Sequence, residues 1–258
     1  MKPTLLLTVL AFALSVPALL AADAAKGPTS SPDITTPLTT GEVITLFPEG
    51  VPGWKDTGPE VFTPSNGTYT NVSNPRMIVS LPRAGTPQNG TAIIFCAGGG
   101  YVHVALGGGM NSWLNPLGVT VFNLLYRCKE FGAPAPQQDV IRAVRLVRAH
   151  AKEFGIDPDK IGVMGDSAGS HVAASAGTLF NDPVVNTGSP LDKVSGRPDF
   201  MILLFSVLTM EPPYAHRDSK TNLIGPNPTQ EEMDHYSLEK QVTADTPPAF
   251  LVHSEQDT

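Results

Sequence analysis

The stretch Ile161-Gly162-Val163-Met164-Gly165-Asp166-Ser167-Ala168-Gly169 decides how this chain is read. A short apolar run ends in G-x-S-x-G, and a helix-forming run follows, His171-Val172-Ala173-Ala174-Ser175-Ala176. Strand, sharp turn and helix in that order are what a nucleophilic serine needs, because the turn lifts its hydroxyl clear of the sheet. A free serine hydroxyl is a weak nucleophile and must be activated by a neighbouring base. Gly165 and Gly169 remove side chains where the turn is strained and where helix and strand pack closely. The pattern is short, and it takes its weight from the strand before it and the helix after it.

Upstream, Thr91-Ala92-Ile93-Ile94-Phe95-Cys96-Ala97-Gly98-Gly99-Gly100-Tyr101 is a second buried strand that ends in a glycine run. A phosphate cradle is excluded, because G-x-x-x-x-G-K-[ST] is absent and no lysine follows the glycines. Gly107-Gly108-Gly109 reads as a flexible loop at the mouth of a site. Val119-Thr120-Val121-Phe122-Asn123-Leu124-Leu125-Tyr126-Arg127 reads as the next strand, and Trp113-Leu114-Asn115-Pro116-Leu117 closes the helix before it. Ile141, Val144, Val147, Ala151 and Phe154 recur at helical spacing, which predicts a helix over 140–154 with Asp139 as its cap or first-turn acid. Arg142, Arg145, Arg148 and Lys152 lie largely off that apolar face and read as a solvated surface. Strand, helix, strand and helix at this spacing imply a parallel sheet with right-handed crossovers.

Composition agrees. The 258 residues are 41% hydrophobic and 16% charged, enough for one α/β domain with a substantial core. A net charge of −7 argues against nucleic acid as a partner. Met1-Lys2, an apolar run over 5–20 broken by Pro17, and then Ala21-Ala22-Asp23-Ala24-Ala25 predict a signal peptide over 1–22. Such a chain is secreted or periplasmic, with no stable membrane insertion after cleavage. Residues 23–41 are rich in Pro, Ser and Thr and read as a disordered tether. Residues 42–258 form the remaining domain. Within it, 208–228, with Pro212-Pro213 and Gly225-Pro226, reads as a cap or substrate loop. The two cysteines, Cys96 and Cys128, stand at the ends of successive strands, and either a disulfide or two free core thiols fits them. No H-E-x-x-H or paired C-x-x-C is present, so neither a metal nor a cofactor is expected.

The glycine run 97–101, the Trp113-Leu114-Asn115-Pro116-Leu117-Gly118 segment, Tyr126-Arg127, the run 155–169, Tyr236-Ser237 and the run 246–254 together resemble the α/β-hydrolase superfamily. Within it they are similar to the secreted group of acetylxylan esterases and bacterial feruloyl esterase-like proteins. The resemblance covers roughly residue 42 to the end. It departs at Ala97, where that group usually carries proline or histidine, and Asp166 gives the GDSAG form of hormone-sensitive-lipase-like esterases.

The resemblance implies an α/β-hydrolase fold with a mostly parallel central sheet flanked by helices. It also implies a serine carboxylic-ester hydrolase acting on a small-molecule or oligosaccharide ester, for which acetyl or other acyl groups on plant polysaccharide fragments are the expected substrates. Ser167 is then the nucleophile, and Gly99, Gly100 and Ala168 are the oxyanion donors. Tyr101 and His103 are expected to line the substrate pocket. Triad order in this fold is Ser, acid, His. Asp257, in the loop leaving the strand Ala249-Phe250-Leu251-Val252-His253, matches the acid, with Glu255 as the fallback. The order calls for a histidine after Asp257, and His103, His150, His171, His216, His235 and His253 all precede it. His171 reads as packed in the helix behind Ser167. The chain is therefore expected to be incomplete at its C-terminus, without the last helix and strand of the fold, to leave the strand at 249–253 as a bare edge, and to have little activity as it stands. Two other functions fit the same residues: a serine peptidase on this fold, and a catalytically silent glycan- or ligand-binding protein.

Overall fold

Three apolar runs form the centre of the sheet, and the elements around them follow chain order. The computed structural model describes residues 37–255. The expected leader, residues 23–36 of the tether, and Asp257 lie outside the described residues. The elements are β1 (Val43–Thr45), β2 (Val61–Thr63), β3 (Thr68–Thr70), β4 (Arg76–Ser80), β5 (Ala92–Cys96), β6 (His103–Ala105), α1 (Gly108–Leu114), β7 (Thr120–Leu125), α2 (Ala135–Ala149), β8 (Ile161–Asp166), α3 (Ala168–Thr178), β9 (Phe200–Leu204), α4 (Arg217–Ile224), α5 (Gln230–Tyr236) and β10 (Ala249–Val252).

Among the described residues the main sheet has seven strands in the order β1-β4-β7-β5-β8-β9-β10. β1, β4 and β7 pair antiparallel, and β7, β5, β8, β9 and β10 run parallel. Every residue of β5 and β7 is buried, as is β8 up to Gly165. Strands covered on both faces carry continuous rather than alternating apolar sequence, which is why these three were readable. β9 alternates, and β10, outermost among the described residues, exposes Phe250, Leu251 and Val252. A second, antiparallel sheet has the order β2-β3-β6.

Four details differ from the sequence reading. First, α2 begins at Ala135 rather than at 140, with Pro136 in its first turn. The first helical N–H groups have no intrahelical partner, so a proline there costs nothing. The helix ends at Ala149, and Phe154 keeps the apolar face buried from a turn, its ring 5.8 Å from Phe122. Second, Asp139 is not a cap. It is fully buried in α2 and accepts from the Arg127 backbone N–H at 2.8 Å, while its Oδ1 lies 2.8 Å from Arg127 Nη2.

Third, the α2 arginines are not a solvated face. Arg142 and Arg145 are each only 4% exposed. Arg142 donates to Leu46 C=O, Glu49 and Ser189, Arg145 pairs with Asp192, and Arg148 with Asp199. These side chains tie the helix to three separate loops. Fourth, Gly108 and Gly109 open α1 instead of forming a loop. Gly107 is packed so closely on Phe95 and Asn123 that a Cβ would collide with both, and this contact places the helix start.

Candidate active site

β8 runs straight into Ser167, and α3 begins at the next residue. Ser167 has φ 51° and ψ −125°, a conformation that L residues rarely adopt. It persists because the backbone around it is held. The Ser167 N–H donates to Leu204 C=O at 3.0 Å. The buried Ser170 hydroxyl lies within hydrogen-bonding distance of Gly165 C=O and Leu204 C=O, and it accepts from Leu204 N–H at 3.0 Å. The glycines are steric necessities. A Cβ on Gly165 would meet the backbone of Gly169 and Ser170, and one on Gly169 would meet Cys96 C=O and Ala97.

The glycine loop that leaves β5 lies against this turn. A Cβ on Gly98 would be 3.0 Å from Ser167 Cβ and 2.8 Å from Asp166 Oδ2. The Gly98 N–H donates to Asp166 Oδ1 at 3.1 Å, which fastens the loop to the residue before the serine. Burial raises the Asp166 pKa above the ordinary carboxylate value, against the lowering effect of that hydrogen bond. Gly99 and Gly100 have φ of 149° and 60°, open to glycine alone without strain. Among the described residues the N–H groups of Gly99, Gly100 and Ala168 take no hydrogen-bond partner. Unpartnered N–H groups beside a serine hydroxyl are suited to binding an oxyanion.

The remaining candidates fall in different places. His103 begins β6, partly exposed, and its imidazole lies under Gly99. Tyr101, expected at the substrate, is turned inward and fully buried, and its hydroxyl is 2.7 Å from His171 Nδ1. Its φ of 61° lies in the left-handed region. His171 is packed in α3, as read. Its Nε2 is 2.8 Å from Tyr236 C=O, and burial lowers its pKa to about 4. Both ring nitrogens are therefore engaged, which leaves His171 unable to act as a general base. His150 pairs with Glu153, His216 with Ser219 and His235 with Asp182. Asp257 lies outside the described residues, and Glu255 is exposed just after β10.

Cys96 and Cys128 are free and buried, and burial raises both thiol pKa values, so neither is a nucleophile. In the 208–228 segment, α4 packs on the glycine loop through Asn222 Nδ2, which donates to Gly100 C=O at 2.7 Å. Sequence reasoning did not single out Ser170 or Asn222. Ser170 follows directly on the G-x-S-x-G pattern, whereas nothing local marks Asn222. Among the described residues no group of His, Cys, Asp and Glu is arranged to hold a metal ion, and no helix is long and apolar enough to cross a membrane.

A mostly parallel sheet, a serine at a strained strand-to-helix turn and a glycine loop beside it define an α/β-hydrolase, of the esterase group. The chain belongs to the BD-FAE family, whose pattern matches residues 79–258. It is 46% identical over 123 residues to endo-1,4-beta-xylanase B of Butyrivibrio fibrisolvens, covering 48% of this chain and 19% of that protein. It is 32% identical over 179 residues to an acetylxylan esterase of Xylanibacter ruminicola, covering 66% of this chain and 35% of that protein. The chain thus spans about a fifth and about a third of the length of these relatives. The crystal structure of an acetyl ester-xyloside bifunctional hydrolase from Caldicellulosiruptor lactoaceticus superposes with a TM-score of 0.65 at 33% identity, over 84% of this chain and 74% of that one.

Proposed function

We propose that this chain is the catalytic domain of a secreted serine carboxylic-ester hydrolase that removes acetyl or other acyl groups from plant polysaccharide fragments. The observation that carries the reading is Ser167 held at φ 51° between β8 and α3, with the Gly98-Gly99-Gly100 loop packed against its Cβ. The similarity to an acetylxylan esterase and to a xylanase supports the substrate class. Residues 1–22 are the export signal, 23–41 the tether and 42–258 the hydrolase domain.

Ser167 Oγ attacks the acyl carbonyl and gives its proton to a histidine that follows Asp257 in the order of the fold. Asp257 orients that histidine, which lets its imidazolium form without moving. The tetrahedral oxyanion accepts hydrogen bonds from the N–H groups of Gly99, Gly100 and Ala168. Collapse breaks the ester C–O bond, and the histidine returns the proton to the sugar oxygen, which leaves as an alcohol. Water then attacks the acyl-serine and loses its proton to the histidine, which passes it to Ser167 Oγ as the acyl C–Oγ bond breaks, releasing the carboxylic acid and free Ser167. His103, beneath Gly99, borders the pocket.

The test is acetate release from acetylated xylan by the protein purified from its native host, with p-nitrophenyl acetate as a second substrate. A fluorophosphonate probe should label Ser167, and Ser167→Ala should lower turnover by about 10⁶-fold. Acetate release that survives in Ser167→Ala would refute the assignment. Cleavage of peptides but not of acetylated xylan would move the reading to a peptidase.

A further inference from the structure

Tyr101 joins three features that seldom coincide. It follows the glycines directly, its φ of 61° lies in the left-handed region, and it is fully buried. A bulky residue pays for that backbone conformation in strain, which persists only where the surroundings hold it. The holding contact is its hydroxyl, 2.7 Å from His171 Nδ1. The direction of this bond follows from the other side of the ring. His171 Nε2 faces Tyr236 C=O at 2.8 Å, and a carbonyl only accepts. Nε2 therefore carries the hydrogen, Nδ1 carries the lone pair, and Tyr101 donates. The lowered pKa of His171 is consistent with a neutral ring.

The loop is pinned at its other end too, where the Tyr126 hydroxyl donates to Ala97 C=O at 2.6 Å. Its carbonyls are taken up one after another. Gly99 C=O accepts from Val102 N–H, Gly100 C=O from Asn222 Nδ2 and Tyr101 C=O from Lys129 N–H. In a planar trans peptide the N–H points opposite to the C=O. Fixing Gly99 C=O thus fixes the direction of Gly100 N–H.

We infer that Tyr101 and His171 are positioning residues for the oxyanion donors, the buried Tyr101–His171 hydrogen bond locking the glycine loop to the helix that starts at the nucleophile. This deepens the ester-hydrolase reading and rests on it for its kinetic consequences. Neither residue touches substrate. The nucleophile sits at one end of α3 and His171 one turn along it, so a single rigid helix sets both the attacking oxygen and the donors.

The test uses Tyr101→Phe, which keeps the ring and removes the donor, and His171→Leu, which removes the acceptor that faces Tyr101. Hydrogen–deuterium exchange of the peptide covering 97–103 should speed up by about tenfold or more in each variant, with β7 and β8 unchanged. For hydrolysis of p-nitrophenyl acetate, kcat should fall by about tenfold with KM within about twofold, the signature of an interaction felt in the transition state. The double variant should be no slower than the worse single variant. Unchanged exchange in 97–103, or loosening spread evenly over the whole sheet, would overturn the inference. The exchange result decides even if the wild-type protein hydrolyses no ester, an outcome that would sink the functional reading alone. Should Tyr101→Phe fail to fold, His171→Leu carries the same two measurements.

Discussion

Acidification should destabilise this protein through His171, and the size of the effect follows from its surroundings. The imidazole is fully buried, its Nε2–H bonded to Tyr236 C=O and its Nδ1 to the Tyr101 hydroxyl. Burial lowers its pKa from the ordinary 6.5 to about 4, against a smaller opposing effect of the Tyr236 bond. Between those values the unfolded chain binds a proton that the folded protein refuses, so stability falls as pH falls. The contribution is complete above about 6.5 and is lost as pH drops toward about 4. At pH 5 the linkage relation gives a loss of about 2 kcal/mol, rising to about 3 kcal/mol below pH 4. Burial also raises the Asp139 and Asp166 pKa values, which favours the folded state in acid and opposes the trend. Comparing the wild-type protein with His171→Gln removes such shared terms. Urea unfolding at pH 7.5 and pH 5 should show the wild type losing about 2 kcal/mol more than the variant. Equal losses, within about 0.5 kcal/mol, would refute a buried neutral imidazole here.

Two further predictions concern strain and buried charge. Ser167→Gly should raise thermal stability by about 1 kcal/mol while abolishing hydrolysis, because φ 51° and ψ −125° suit glycine and strain serine; a thermal scan showing destabilisation would argue against strain at the turn. Asp139→Asn should cost about 3–5 kcal/mol in denaturant unfolding, since it leaves the Arg127 guanidinium, 1% exposed, without its buried counter-charge. A loss under about 1 kcal/mol would mean that Pro52 C=O and Ala135 C=O hold that charge unaided.

The elements that were legible are those whose local sequence states their surroundings. β5, β7 and β8 are buried on both faces, so their apolar runs could mean little else. The elbow was legible because Gly165 and Gly169 each fill a place where a Cβ collides with backbone. What escaped reading depended on partners distant in sequence. Arg142 looked solvated because periodicity separates apolar from polar, whereas its guanidinium reaches Leu46 C=O and Glu49 far up the chain. Asp139 looked like a cap because the helix was started five residues late, and its true partner, Arg127, lies just past the end of β7. Tyr101 looked like a pocket residue because it adjoins the glycines, yet its side chain is fully buried with its hydroxyl on His171, seventy residues further along the chain. The triplet 107–109 looked like a loop on glycine content alone, and packing against Phe95 and Asn123 overrides that propensity.

Backbone strain gathers at the same place as the serine motif, and it does so independently of that motif. Among the described residues four non-glycine residues have positive φ: Asn71, Tyr101, Ser167 and Phe205. Ser167 and Phe205 directly follow the C-terminal ends of β8 and β9, and Tyr101 closes the glycine loop that leaves β5, the other neighbour of β8 in the sheet. Strain of this kind persists where the surroundings over-determine the backbone, and it collects at functional sites. In open parallel sheets ligands bind outside the carboxyl ends of the strands. The same end carries the unpartnered N–H groups of Gly99, Gly100 and Ala168, and the Ser206 hydroxyl next to Phe205, buried and without a partner among the described residues. Three strained residues in the connections that leave three neighbouring strands is a costly arrangement for a sheet that needed only to fold. It is the arrangement expected where a hydroxyl and its oxyanion donors must be held ready before any substrate arrives.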